Sequence, residues 1–288
     1  MPLGAPRVHY LRTETHAIAL AAELKAAQHL AVVGGGLIGL EVAASARELG
    51  VDVTVIEVAP RILARVCDED TSTVIAAEHR RHGVDIRLDA KLTDAATGSD
   101  GRLALKTSGG DTIRADLVVV GAGAAPDDRL AAEAGLATDN GIVVDEQCRS
   151  SDPAIFAAGD VVRFPGPHGL VRQEDWRHAQ DQGSIAGRNA AGASDAYRST
   201  PSFWSEQFGL YIQGTGWPQP RPEPRVRRLG ANMLTFDLTG RHIAYAIGVN
   251  AQRDMAVVRR LIERRIAVDP AALSDPTIAL ADLLKAKP

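Results

Sequence analysis

Short, continuous apolar runs alternate along this chain with longer stretches in which apolar residues recur every three or four positions. The clearest run, Leu30-Ala31-Val32-Val33, has the length of a buried parallel strand, and residues 37–49 after it carry helical spacing. A glycine cluster separates the two and Gly50 closes the helix, so residues 30–50 predict strand, turn, helix. Upstream, residues 8–13 read as a short strand or link and 14–27 as a helix. Downstream, Asp52-Val53-Thr54-Val55-Ile56 predicts a strand, 60–65 a turn, 68–82 a helix closed by Gly83, and 84–88 another strand. Short alternating segments over 91–113, broken by Gly98, Asp100-Gly101 and Gly109-Gly110, predict antiparallel hairpins. A buried strand follows at 115–120, then a helix at 128–134, strands ending at Asp145 and Asp160, and a small-residue helix over 173–191. Residues 203–249 alternate like antiparallel strands, and 253–266 predict a helix packed on them.

Gly34, Gly36 and Gly39 fit G-x-G-x-x-G between a predicted strand and a predicted helix. In that setting the first glycine permits the tight turn, the second admits a pyrophosphate to the backbone, and the third lets helix and strand pack closely. Gly35 completes the turn, and the free amides of Leu37 and Ile38 at the helix start would face the phosphates. Glu57 stands at the tip of the next strand, eighteen residues after Gly39. A carboxylate there accepts hydrogen bonds from an adenosine ribose and repels a 2′-phosphate, which favours NAD over NADP. Arg65, at the end of the following turn, is expected to join the nucleotide-binding set. A second small-residue loop, Gly121-Ala122-Gly123, ends the 115–120 strand at the same sheet edge and would let a cofactor lie against backbone. Gly159-Asp160 ends another predicted strand and presents a carboxylate, which by spacing alone is as readily a turn as a site.

Composition changes little in this picture. At 288 residues, 45% hydrophobic and 24% charged, the chain has room for more than one core and sits in the ordinary globular range. No apolar run approaches a membrane span, and residues 1–15 lack the apolar core of a signal peptide, so the cytoplasm is the expected compartment. Cys67 and Cys148 show neither C-x-x-C nor zinc spacing and read as two buried thiols. His79 and His82 are the closest histidine pair. Beside Arg80 and Arg81 they read as a solvated helix face, and no metal site is expected. Residues 201–288 carry 12 Lys and Arg against 8 Asp and Glu, which leaves −8 on the first 200. That basic part could dock an acidic partner but is too dilute and too poor in aromatics for nucleic acid.

Several stretches together resemble the FAD-dependent NADH:ferredoxin reductases that feed Rieske oxygenases or cytochromes P450, with rubredoxin-reductase and apoptosis-inducing-factor relatives. They are Val8-His9-Tyr10-Leu11-Arg12-Thr13, Val33-Gly34-Gly35-Gly36-Leu37-Ile38-Gly39-Leu40-Glu41, Gly159-Asp160, Trp176 with Ala179-Gln180-Asp181-Gln182-Gly183, and Phe203-Trp204-Ser205-Glu206-Gln207. The resemblance runs from Val8 to the C-terminus. It implies an α/β fold with a Rossmann-like NAD-binding domain at 1–126, a partial FAD-binding domain at 127–200, and a small α+β C-terminal domain at 201–288. It further implies that Asp160 bonds the flavin ribityl chain, that the segment from Trp176 lies beside the isoalloxazine, and that Trp204 lines it. Glu41 would sit near the nicotinamide as the catalytic-site acid. The implied chemistry is hydride transfer from NADH to FAD, then single electrons to an acidic [2Fe–2S] ferredoxin. Arg259, Arg260, Arg264 and Arg265, with Arg221, Arg225, Arg227 and Arg228, are candidates to meet that ferredoxin, although a solvated basic face explains most of them better.

Such reductases resemble a nested design in which the first half of the FAD domain, with its own G-x-G-x-x-G, precedes the NAD domain. This sequence begins near that junction, carries one such motif, and has no match for the lysine that pairs with the Glu41 counterpart. A shortened reading frame, a mis-set start codon or a deliberate truncation is the expectation, and FAD is expected to need more than these residues. The apolar strands around 141–160 would then expose sheet edges. The competing reading is an NAD-binding module without redox turnover. A disulfide reductase fits poorly, since C-x-x-C is absent and residues 250–288 hold no histidine. Oligomeric state, the particular ferredoxin and the final substrate are not legible in the sequence.

Overall fold

The computed structural model describes residues 5–198, 200–219, 224–229 and 232–285, with the side chains of 224–226 and 228 excepted. Its contacts divide the chain into two units, residues 1–123 with 205–212, and 124–204 with 213–288.

In the first unit the elements are β1 (Val8–His9), α1 (Glu14–Leu24), β2 (His29–Val33), α2 (Leu37–Glu48), β3 (Asp52–Ile56), α3 (Glu69–Arg81), β4 (Val84–Arg87), β5 (Leu92–Thr97), β6 (Leu103–Thr107), β7 (Thr112–Ala115) and β8 (Leu117–Val120). Five strands form a parallel sheet in the order β1-β8-β2-β3-β4. Leu30, Ala31 and Val32 are fully buried, as strands covered on both faces must be. Helix α2 buries Leu40, Ala43 and Ala46 as it packs on β2 and β3, and the small Ala43 and Ala46 allow a close approach. The predicted hairpins are the antiparallel sheet β5-β6-β7, which packs Leu103 and Leu105 against Ala31 and Val118.

Helix ends lie where caps form, a few residues inside the limits drawn from periodicity. Thr13 caps α1, and the Asp68 carboxylate accepts the Thr71 amide at the start of α3. One expectation is overturned in α3. His79 is 0% exposed, so it does not belong to a solvated face, while Arg80 and Arg81 do point outward.

The second unit holds α4 (Arg129–Glu133), β9 (Ile142–Val143), β10 (Val162–Gly166), β11 (Gly169–Val171), α5 (Trp176–Ala190), β12 (Ser202–Gln207), β13 (Leu210–Gly216), β14 (Pro224–Leu229), β15 (Asn232–Thr239), β16 (His242–Val249), α6 (Gln252–Glu263), α7 (Pro270–Ser274) and α8 (Leu280–Leu283), with residues 205–212 of the β12 and β13 hairpin clustering with the first unit. Strands β11, β10 and β9 form a small sheet over Val144, Val162 and Phe164. Asp175 caps α5, accepting the His178 amide at 2.7 Å, which is why that helix starts at Trp176 and not at Gln173. The C-terminal sheet has the order β12-β13-β16-β15-β14. Leu234, Phe236 and Ala246 of that sheet bury Met255, Val258 and Leu261 of α6. Both cysteines are free and buried, and burial pushes the Cys67 thiol up to about 12 and the Cys148 thiol up to about 11.

Candidate dinucleotide site and flavin-facing residues

Strand β2 delivers the chain into the glycine loop at the C-terminal edge of the parallel sheet. Gly34 has φ +113°, a conformation closed to most L-residues, and donates its N–H to Ile56 O at 2.9 Å. A Cβ on Gly34 would meet Gly121 O at 2.5 Å, so the two glycine loops touch backbone to backbone. Gly121 in turn donates to Val33 O at 2.8 Å. Gly39 is tighter still, because a Cβ there would lie 2.2 Å from Gly34 O. Gly36 differs from both. Nothing lies within 4 Å of its absent Cβ, and as the N-cap of α2 it supplies no side chain to satisfy the first amides. The open backbone at Gly36 and the uncapped start of α2 together leave amide donors suited to an anion such as a pyrophosphate, a candidate cradle.

Glu57 bridges the loop. One carboxylate oxygen accepts the Gly35 N–H at 2.6 Å and the other the Ala59 N–H at 2.8 Å. These bonds take one lone pair of each oxygen and leave others for a ribose hydroxyl. The 60–65 turn is also built into the site, with Leu63, at φ +53°, donating its N–H to Gly35 O at 2.9 Å. Nothing in the sequence signals that role for Leu63. Arg65 is exposed, its guanidinium 3.8 Å from where a Gly123 Cβ would sit. Ala122 and Ile38 are exposed beside the loops, and Leu37 is half-buried.

Glu41 lies one turn into α2, half-buried, and accepts the Ser205 hydroxyl proton at 2.5 Å. Gln207 Nε2 donates to Ser205 Oγ at 2.8 Å, and His79 Nε2 donates to Gln207 Oε1 at 2.8 Å. Phe208 stacks on the His82 ring at 4.0 Å and meets His79 edge-on. Burial holds His79 below its ordinary pKa of 6.5, hence neutral at pH 7. The Phe203 to Gln207 motif contains two of these residues, but their partnership with Glu41 and His79 joins positions more than a hundred residues apart and has no local signature.

In the second unit Gly159, at φ +85°, donates its N–H to the buried Gln182 Oε1 at 2.9 Å, which fixes the turn into exposed Asp160. His178, also kept neutral by burial, bonds Tyr197 at 2.7 Å and stacks on Phe164. Trp176 and Trp204 meet at 6.4 Å, edge to face, yet remain 64% and 46% exposed. Two such rings, nearly perpendicular and left open, present apolar faces against which a planar heterocycle can stack. Of the arginines considered for docking, Arg260, Arg264 and Arg265 are exposed and Arg259 pairs with Glu263 at 2.6 Å. Arg227 is 2% exposed and cannot meet a partner, which corrects that expectation. Arg221 and the side chains of Arg225 and Arg228 lie outside the described residues. No group of His, Cys, Asp and Glu fit to hold a metal occurs among the described residues. No helix there is long and apolar enough to cross a membrane.

Known proteins share the family and fold of this chain. Residues 2–183 match the model of the pyridine nucleotide-disulphide oxidoreductases, and residues 202–284 match a reductase C-terminal model. The chain is 40% identical over 281 residues to the ferredoxin–NAD(+) reductase component of a p-cumate dioxygenase system from Pseudomonas putida, covering 97% of this chain and 69% of the relative. It is 41% identical over 283 residues to the corresponding component of an anthranilate dioxygenase system from Burkholderia cepacia, covering 96% and 69%. Among solved structures, a ferredoxin reductase from Rhodopseudomonas palustris superposes with a TM-score of 0.92 at 32% identity, covering 97% of this chain and 70% of that one. The reductase in a covalent putidaredoxin reductase–putidaredoxin complex gives 0.91 at 32%, covering 97% and 68%. The α/β fold, with its parallel Rossmann-like sheet and separate C-terminal sheet, is the fold of these reductases, and the chain belongs to the pyridine nucleotide-disulphide oxidoreductase family.

Proposed function

We propose that this chain serves an NADH-dependent ferredoxin reductase of an oxygenase system, taking hydride from NADH to FAD and passing single electrons to an acidic [2Fe–2S] ferredoxin. The observation that carries the reading is the open backbone at Gly36, framed by glycines that a Cβ would break. In this reading the amides of Gly36, Leu37 and Ile38 bind the pyrophosphate, Glu57 takes the adenosine ribose, and Arg65 with Gly121, Ala122 and Gly123 flanks the dinucleotide. Glu41 faces the nicotinamide end. NADH is preferred because a carboxylate at the ribose position opposes a 2′-phosphate.

Gly159 and Asp160, with the α5 terminus at Trp176, supply donors, a carboxylate and an aromatic wall for FAD, and Trp204 adds a second wall. When bound, FAD accepts a hydride and releases electrons one at a time. The protein's part is alignment and the exclusion of water. No side chain is required as a nucleophile. Exposed Arg260, Arg264 and Arg265 offer positive charge to an acidic partner. The expected compartment is the cytoplasm, in keeping with two thiols that are free.

Purified protein tests the reading directly. A yellow protein that is bleached by NADH under anaerobic conditions and then reduces a [2Fe–2S] ferredoxin supports it. A colourless protein that binds NADH without turnover supports the NAD-binding module instead. Absence of NADH binding contradicts both.

A further inference from the structure

Glu41, Ser205, Gln207 and His79 form a hydrogen-bond chain whose polarity is fixed. An ionised carboxylate only accepts, so the Ser205 hydroxyl must donate to Glu41 Oε1. Ser205 Oγ must then accept from Gln207 Nε2, which turns Gln207 Oε1 toward His79 and makes His79 Nε2 the donor. The opposite amide orientation would set the Ser205 and Glu41 oxygens lone pair against lone pair at 2.5 Å. Ser205 and Gln207 are each 1% exposed and His79 is 0% exposed, so water cannot substitute for any of these three. Packing of Phe208 on His79 and His82 locks the far end.

The near end, Glu41, belongs to the helix whose start forms the candidate cradle. Glu41 shares a helix face with Ile38, and the Cα–Cβ bond of a helical residue tilts toward the N-terminus. Glu41 sits five residues past the cradle at Gly36, with its carboxylate held by Ser205. A carboxylate beside a pyrophosphate is repulsive, so its fitting partner is a donor or a cation further along the dinucleotide. The carboxamide NH₂ and the cationic ring of oxidised nicotinamide are such groups.

We propose that Ser205 is a positioning residue for the nicotinamide end of the dinucleotide: with Gln207 behind it, it fixes the Glu41 carboxylate in one orientation, so that a strand of the C-terminal sheet sets nicotinamide recognition in the NAD-binding unit. This rests on the dinucleotide reading above.

Calorimetric titration of the full chain with NAD⁺ and with ADP-ribose, which lacks only the nicotinamide, tests the inference. Ser205→Ala is expected to weaken NAD⁺ by about tenfold, the scale of one hydrogen bond to a charged group, and to leave ADP-ribose within about twofold. Ser205→Thr, which keeps the hydroxyl, is expected to restore NAD⁺ affinity. In a Glu41→Gln background, Ser205→Ala should add less than about twofold, because coupled residues are not additive. Gln207→Met probes the same chain one step back and should show the same selectivity, which covers the case of an unstable Ser205→Ala protein. Equal losses for both ligands, or a Ser205→Ala effect undiminished in the Glu41→Gln background, would overturn the inference while ADP-ribose binding by the unaltered protein left the nucleotide site standing. Failure of the unaltered protein to bind ADP-ribose would overturn both.

Discussion

Two glycines three residues apart make opposite demands, and substituting each with alanine separates packing from ligand binding. At Gly39 a Cβ would lie 2.2 Å from Gly34 O and 3.2 Å from Val32 Cγ1, so α2 must move off the sheet. Overpacking of this kind costs about 1–3 kcal/mol and more against rigid backbone, offset by about 1 kcal/mol of helix propensity. A net cost of about 2 kcal/mol corresponds to a Tm lowered by roughly 4–8 °C. At Gly36 the new methyl meets nothing within 4 Å, and the backbone, at φ −82°, already suits alanine. The cost there is that of a poorer N-cap, about 0.5–1 kcal/mol, or roughly 1–4 °C. Yet the methyl occupies the pyrophosphate's approach. Losing one or two amide bonds to a charged group, at about 1.5–3 kcal/mol each, weakens NADH by roughly tenfold to ten-thousandfold. Thermal melts with NADH titrations of both variants check this. Gly36→Ala binding NADH as well as the unaltered protein, or melting as low as Gly39→Ala, would refute the reasoning.

Glu57→Gln keeps one acceptor for the loop amides but removes the charge that repels a 2′-phosphate, so the NADH-to-NADPH affinity ratio should fall by about tenfold, measured by parallel titrations. Burial lowers the pKa of His79, His178 and His29 below the ordinary 6.5, so the unfolded chain binds more protons than the native one as the pH falls through that value. Stability is therefore fully present above about pH 6.5 and lost progressively on acidification toward the lower native pKa values. Melts from pH 8 to pH 5 should show this, with a shallower fall in His79→Gln. Charge reversal at Arg260 and Arg264 together should raise KM for an acidic ferredoxin severalfold at low salt and little at high salt, with NADH affinity unchanged.

The nucleotide loop was legible because its requirements are local. The strand, the three glycines and the acid at the next strand tip lie within residues 30–57, and each answers to backbone geometry that the sequence spells out. The parallel sheet, the β5-β6-β7 hairpins and the C-terminal sheet followed from periodicity for the same reason. His79 shows where that reach ends. In sequence it is one of four polar residues closing a helix, and only the arrival of Gln207 and Phe208, more than a hundred positions later, makes it a core residue. Arg227 likewise looks like one of a basic group until the fold covers it. Leu63 and Ser205 act through backbone and hydroxyl contacts made across the fold, and neither spacing nor composition marks them.

The central claim is that the amides after Val33 grip a nicotinamide dinucleotide, and a crystal structure of the protein with NAD⁺ tests it most directly. The account predicts pyrophosphate oxygens within hydrogen-bond distance of the amides of Gly36 to Ile38, the adenosine ribose on Glu57, and the nicotinamide end toward Glu41. A dinucleotide bound elsewhere, or one whose phosphates avoid the start of α2, would contradict it.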